Sequence, residues 1–162
     1  MIKKRLFVFT IIGIATLFIA AGIYAKAVPD VIELNDPAYK KHKKGVVHFE
    51  HKKHQDDYVQ QYPEFYKNGC GECHHDKDNK PLSSLKEGDD VEKCIECHKI
   101  PSEAPKGKKA KKKLSKKEKI KDYHAEALHA NCRDCHRKFN KKYKPKKKAP
   151  TTCAKCHPKA KK

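Results

Sequence analysis

The sequence of 162 residues has no tryptophan and a single methionine, the initiator Met1. Beyond residue 24 it also lacks any apolar run long enough for a further membrane crossing. About 135 residues with so few large apolar side chains exclude a large side-chain core of the usual kind. Acids are scarce as well, since 20 Asp and Glu stand against 39 Lys and Arg and the formal net charge is +19.

The N-terminus, by contrast, is apolar. A basic triplet at residues 3–5 precedes an apolar run over residues 6–24, which is typical of an export signal. Ala-Lys-Ala at 25–27 fits a small-x-small cleavage site and favours a signal peptide over residues 1–27. The run is also long enough to stay as an uncleaved N-terminal membrane anchor. Both alternatives predict that residues 28–162 are exported to the periplasm, tethered to the cytoplasmic membrane in the second case.

All eight cysteines fall in four copies of Cys-x-x-Cys-His. In c-type haem attachment the two thiols form thioethers with the haem and the adjacent histidine binds the iron. Residues three apart lie on one side of a helical turn, so both sulfurs reach one porphyrin edge. Composition alone predicts roughly 0.03 such matches by chance, so four copies predict four haem c groups. The copies are Cys70-Gly-Glu-Cys73-His74, Cys94-Ile-Glu-Cys97-His98, Cys132-Arg-Asp-Cys135-His136 and Cys153-Ala-Lys-Cys156-His157.

Two alternatives use the same cysteines. Four Cys-x-x-Cys pairs would suffice for two all-cysteine zinc sites, because this spacing is common in structural zinc sites. Zinc does not require the histidine that follows every second cysteine. Disulfides within each pair would normally mark a redox motif, and four such motifs in one small domain are unusual. The repeated histidine therefore favours haem.

Four flat apolar macrocycles would replace many buried leucines and phenylalanines, with the apoprotein largely disordered. We therefore expect a mostly irregular fold with a few short α-helices, built around four covalently bound haems. Short helices are predicted over residues 56–67, interrupted near Pro63, and about 115–130, the second beginning at a capping box of Ser115 and Glu118. A short strand is predicted around 45–49. The lysine-rich segment 99–119 is predicted to be a solvated, mobile insertion, because like charges so closely spaced repel one another.

The second axial ligands must also be histidines. Met1 is the only methionine, so ligation by one histidine and one methionine is excluded, and the expected potentials are low. Four ligands are needed from seven histidines outside the motifs. These are His42, His48, His51, His54, His75, His124 and His129.

The pattern of these histidines resembles that of a known family. Phe49-Glu-His51-Lys-Lys-His54, followed by the doubled His74-His75, is similar to the Phe-x-His-x-x-His and Cys-x-x-Cys-His-His signature of the tetrahaem cytochrome c3 (class III cytochrome c) family. The resemblance extends over roughly residues 45–158. The stretch between His54 and Cys70 is longer than in small members, and the 99–119 insertion is unusual.

The resemblance implies a distal ligand for each haem. His51 would serve the first haem and His75 the second. His54 would serve the third and His129 the fourth. His124 remains a rival to His129, since it lies five residues earlier on the same predicted helix.

With both axial positions filled, no iron site is open to a substrate, so we expect an electron carrier and not an enzyme. The resemblance implies a low-potential periplasmic electron-transfer protein of anaerobic respiration. Two alternatives remain. One is a small haem reductase, if one iron has an open position. The other is a subunit of a membrane-associated or filamentous multihaem electron conduit.

The lysines indicate the chemistry of the partners. A basic rim around an exposed haem edge would attract acidic redox proteins, such as the periplasmic hydrogenase or membrane-bound redox complex that the resemblance implies. An anionic membrane surface is a competing partner, and simple solvation is a third reading of the lysine runs. Nucleic acid is not expected, because an exported haem protein seldom meets it.

Overall fold

The computed structural model describes residues 28–42, 44–107, 110 and 112–158. The predicted signal peptide or anchor lies outside these residues, so it stays a prediction. Within the described part of the chain, no helix has the length and apolar character needed to cross a membrane. Residues 29–86 and those from Asp90 onward form one compact unit.

Regular structure in this unit is sparse, as predicted. Strand β1 (Ile32–Glu33) pairs antiparallel with strand β2 (His48–Phe49), with Ile32 opposite Phe49. Strand β2 confirms the short strand predicted around 45–49. The described α-helices are α1 (Tyr58–Gln61), α2 (Cys94–Cys97), α3 (Lys116–Asp122), α4 (His124–Leu128), α5 (Asp134–Tyr143) and α6 (Cys153–Cys156).

Two wide π-helical turns lie where distal histidines were predicted. The first, Lys53–Asp57, contains His54 and leads into α1; the second, His129–Arg133, begins with His129 and leads into α5. π-turns are rare and occur often at functional sites. The helix predicted over 56–67 therefore starts earlier than expected. The interruption predicted near Pro63 is confirmed, because α1 ends at Gln61 and the 3₁₀ turn Pro63–Phe65 follows.

The helix predicted over 115–130 is not continuous. Its start is confirmed, because Ser115 and Glu118 form the predicted capping box. At Tyr123, however, the backbone is extended and bridges Ile100. The Ile100 amide donates to the carbonyl of Asp122 at 2.9 Å, and the His124 amide donates to the carbonyl of Ile100 at 3.0 Å. This long-range pairing divides the segment into α3 and α4.

The same contacts modify the prediction for the 99–119 insertion. Ala104, inside it, is only 3% exposed, and its amide donates to the Glu126 carboxylate at 3.3 Å. The first part of the segment is therefore packed against α4. Lys108, Lys109 and Lys111 lie outside the described residues, and the predicted mobility of the segment stays a prediction.

The polypeptide has almost no side-chain core. Among the described residues, only Ala104 and Ala127 are buried apolar side chains, and His124 is the buried polar one. Burial of apolar surface is the main source of folding free energy. A chain that buries so little of its own apolar surface fits a fold organised around prosthetic groups.

One small aromatic cluster adds to this limited side-chain packing. Phe139 and Tyr143 of α5 pack on Tyr62 and Phe65, with ring centroids 4.9 to 6.2 Å apart. Beside it, the Glu64 carboxylate accepts hydrogen bonds from the Lys142 ammonium at 2.5 Å and from the Tyr143 hydroxyl. This cluster fastens α5 to the segment before the first motif.

Candidate haem sites

Each motif histidine faces a second histidine. Imidazole pairing is the common geometric feature of the four sites, and the ring centroids of each pair lie 6.0 to 6.4 Å apart. The pairs are His74 with His51 (6.4 Å), His98 with His75 (6.0 Å), His136 with His54 (6.1 Å) and His157 with His129 (6.4 Å).

This spacing has a direct chemical meaning. A metal bound by an imidazole nitrogen on each side, at about 2 Å per bond and with roughly 1 Å from nitrogen to ring centre, separates the centroids by about 6 Å. The observed separations are therefore those of two imidazoles that bind one metal ion between them. The structure also brings together each motif histidine with the distal histidine that the resemblance assigns to it.

The backbone orients three of the motif histidines. The Nδ1 of His98 donates to the carbonyl of Lys121 at 2.9 Å. His136 donates to Pro150 at 2.8 Å, and His157 to Gly45 at 2.9 Å. Since a carbonyl only accepts, Nδ1 carries the proton and Nε2 keeps its lone pair for a metal.

Two distal histidines are held in the same way. His54 donates from Nδ1 to the carbonyl of Glu50 at 2.9 Å, and His75 donates to the carbonyl of Asp76 at 2.8 Å. A ligand whose second nitrogen is bonded has a fixed ring plane and a more basic metal-binding nitrogen. These backbone acceptors carry no side-chain signature, so the sequence could not identify them.

Burial also favours the metal-binding form of the rings. It lowers the pKa of His54 and of His74, and it is the main cause of the lowered pKa of His129. Burial therefore favours the neutral form of these three rings, which is the form that binds a metal.

The cysteines that would attach the haems lie next to the motif histidines in the chain. All eight are free thiols, so the disulfide alternative finds no support here. Cys94–Cys97 and Cys153–Cys156 each form one α-helical turn, as the spacing predicts, whereas Cys70 lies in the 3₁₀ turn Gly69–Glu72. In each of these motifs the histidine amide also donates to the carbonyl of the first cysteine, at 2.7 to 3.0 Å.

The motifs lie close to one another. Burial raises the pKa of Cys132 to about 11, and the nearby Cys156 and Cys94 contribute to the rise. Cys132 belongs to the third motif, Cys156 to the fourth and Cys94 to the second. Groups attached there would therefore be neighbours.

His124 does not face a motif histidine. It is 8% exposed and shares a 3.0 Å hydrogen bond between its Nδ1 and the hydroxyl of Tyr39. Tyr39 in turn stacks on His42, with the centroids 5.7 Å apart. Of the two rivals for the fourth site, the structure thus sets His129 opposite His157, and it gives His124 a packing role.

The donor geometry differs from that of a zinc site. Tetrahedral zinc requires four converging ligands. Among the described residues, no group of three or more His, Cys, Asp or Glu side chains converges in this way. The imidazoles instead face one another in pairs, and such a pair would suit a metal whose remaining ligands come from a planar group such as a porphyrin.

Thiol pairs beside opposed histidines are the arrangement of a multihaem c-type cytochrome. The chain belongs to the class III cytochrome c family, whose family model matches residues 29–157. As a member of that family, the protein binds haem c and transfers electrons. No curated protein and no solved structure matches the chain.

Proposed function

We propose that this protein is a low-potential periplasmic electron carrier that holds four c-type haems, each with two axial histidines. The observation that carries the proposal is the set of four opposed imidazole pairs, each beside a Cys-x-x-Cys-His turn. Bound haem supplies the iron that alternates between its ferric and ferrous states.

The paired histidines argue against substrate binding at the metal. With an imidazole on each side of a bound haem, both axial positions would be filled and no substrate could bind to the iron. The residues therefore support electron transfer without bond making, and the protein is proposed to be a carrier and not an enzyme.

The same residues favour a low potential. Histidine in place of methionine as second ligand lowers the potential. The hydrogen bonds from His98, His136 and His157 to carbonyls make the imidazoles stronger electron donors. Stronger donation stabilises the ferric form.

Electrons need a short path between the sites. The Phe49 ring lies against both His51 and His54, with centroid separations of 5.8 Å and 4.7 Å. These histidines belong to the first and third sites, so one aromatic side chain joins two of the proposed haem environments. The close approach of thiols from different motifs supports the same arrangement.

A basic segment supports the proposed preference for acidic redox partners. Residues 137–148, which cover the end of α5 and the turn after it, contain eight Lys and Arg and no acid. Asn140 closes this turn, because its side chain donates to the Ala149 carbonyl and accepts from the Ala149 amide, both at 2.9 Å. The Pro150 carbonyl next to it accepts from His136. Docking of an acidic protein here would bring it beside the third site.

The proposal is tested on protein exported by a host competent in haem attachment. A pyridine haemochrome assay combined with intact mass should give four thioether-linked haems and identify the mature N-terminus. Electron paramagnetic resonance should show only low-spin ferric signals, and carbon monoxide should leave the reduced spectrum unchanged. Fewer than four haems, or a carbon monoxide complex in the wild-type protein, would contradict it. The second result would favour the reductase alternative.

A further inference from the structure

Arg133 carries an unexplained buried donor. It is the first residue between the two cysteines of the third motif and the last residue of the π-turn His129–Arg133. Its Nε is shielded from solvent and has no hydrogen-bond partner among the described residues. A buried N–H without a partner is unfavourable, so native proteins rarely retain one unless a bound group satisfies it.

The neighbouring acids are engaged elsewhere. Asp134 accepts from the Lys116 ammonium at 3.0 Å and from the Arg137 guanidinium at 3.4 Å. Glu126 accepts from the Ala104 amide at 3.3 Å. Both carboxylates line the same cleft as Arg133, yet neither satisfies its Nε.

The guanidinium lies beside the fourth site. It is close enough to interact electrostatically with both the His129 ring and the Cys156 thiol. His129 and Cys156 both belong to the fourth site, and His129 precedes Arg133 by four residues on the same π-turn. A positive charge is therefore built into the surroundings of this one site.

We propose that Arg133 is a positioning residue for the haem of the fourth site, that its Nε donates to a propionate of that haem, and that its charge raises the midpoint potential of that haem relative to the others. The inference rests on the proposed function. An arginine suits this role because its guanidinium is always charged and forms strong hydrogen bonds with carboxylates. A nearby cation opposes the extra positive charge of the ferric state, so it favours reduction.

The test compares three variants of the holoprotein. Arg133→Gln removes the charge and Arg133→Lys retains it. Arg137→Gln removes an equal charge four residues later, from a side chain that is 59% exposed and paired with Asp134. Spectroelectrochemical titration, with the haem methyl resonances followed by nuclear magnetic resonance, reports each haem separately. A His129→Met variant identifies the fourth haem, because it changes the axial ligand there alone.

Arg133→Gln should lower the potential of the fourth haem. At the potential where that haem is half reduced in the wild type, its ratio of reduced to oxidised form should fall roughly three- to tenfold. Arg133→Lys should restore most of the shift, and Arg137→Gln should leave the potential of the fourth haem unchanged. All variants should retain four haems by pyridine haemochrome.

Two results would overturn the inference. One is an Arg133→Gln protein whose four potentials match the wild type, or whose shift equals that of Arg137→Gln. The other is a fourth-haem potential that changes with added phosphate in the wild type but not in Arg133→Gln. That result would show that the guanidinium binds a free anion and not a propionate. If Arg133→Gln does not assemble, the haem methyl resonances of Arg133→Lys decide: a change confined to the fourth haem supports the inference, and fourth-haem resonances identical to those of the wild type refute the hydrogen bond. Wild-type protein lacking four six-coordinate haems would instead refute the proposed function.

Discussion

His157 donates from Nδ1 to the backbone carbonyl of Gly45 at 2.9 Å, across 112 positions of sequence. The amide of Gly45 in turn donates to the carbonyl of Pro158 at 3.2 Å. The lead-in segment before β2 and the end of the fourth motif therefore form a closed clasp. This clasp orients the proximal histidine of the fourth site.

Substitution of Gly45 by alanine should open the clasp. An ideal Cβ at this position would lie 2.2 Å from the Pro158 carbonyl oxygen, so backbone atoms must shift. We expect a loss of about 1–3 kcal/mol of stability, as for other overpacked sites. Chemical denaturation of the holoprotein measures it. Gly107→Asn is the control, because nothing lies within 4 Å of a Cβ there and asparagine tolerates its positive φ. Equal stability of the two variants would contradict the clasp.

His124 and His129 are the two candidates for the distal ligand of the fourth haem, and their replacement should have different effects on haem coordination. His129→Ala should leave one haem five-coordinate, so that carbon monoxide shifts part of the Soret band of the reduced protein. His124→Ala should retain four six-coordinate haems. Because it breaks the bond to Tyr39 and leaves that hydroxyl without its partner, it should cost about 1–3 kcal/mol of stability. Carbon monoxide binding by His124→Ala and not by His129→Ala would reverse the assignment.

Glu64 should contribute an acid-sensitive part of the stability. The hydrogen bond from Lys142, followed by that from Tyr143, lowers the pKa of Glu64 to about 2. A carboxyl whose folded-state pKa lies below its unfolded value stabilises the fold above the unfolded pKa, and the contribution is lost as pH falls through the folded pKa. The Tm difference between wild type and Glu64→Gln should therefore be present at pH 6 and should shrink from about pH 4.5 towards pH 2. Glu87→Gln is the control, because it removes one carboxylate charge from an exposed side chain outside the four motifs. A Tm difference as large as that of Glu64→Gln would contradict the prediction.

The basic segment 137–148 should govern association with an acidic partner. Reversing Lys146 and Lys148 to glutamate should lower the association rate with an acidic periplasmic hydrogenase roughly three- to tenfold at low salt, since steering by charge is lost. Lys113 and Lys117 reversed together provide the control with the same change in net charge. Stopped-flow mixing over a range of ionic strength measures both. Equal slowing by the two double variants would indicate a general effect of net charge without a defined docking surface.

The sequence was most informative where the chemistry is covalent or local. Cys-x-x-Cys-His specifies attachment in one turn, and the Ser115–Glu118 capping box is formed within four residues. It was least informative where distant segments meet. The break at Tyr123 depends on Ile100, and the acceptor for His157 is a carbonyl of Gly45. A backbone acceptor can be any residue type, so no local pattern identifies it.

The main-chain anchoring of five imidazoles has an evolutionary consequence. Their acceptors are carbonyls of Gly45, Glu50, Asp76, Lys121 and Pro150, which every amino acid possesses. Surface side chains can therefore diverge to suit new donors and acceptors while the orientation of the ligands is inherited unchanged. Partner choice and redox tuning can evolve on separate parts of the same small chain.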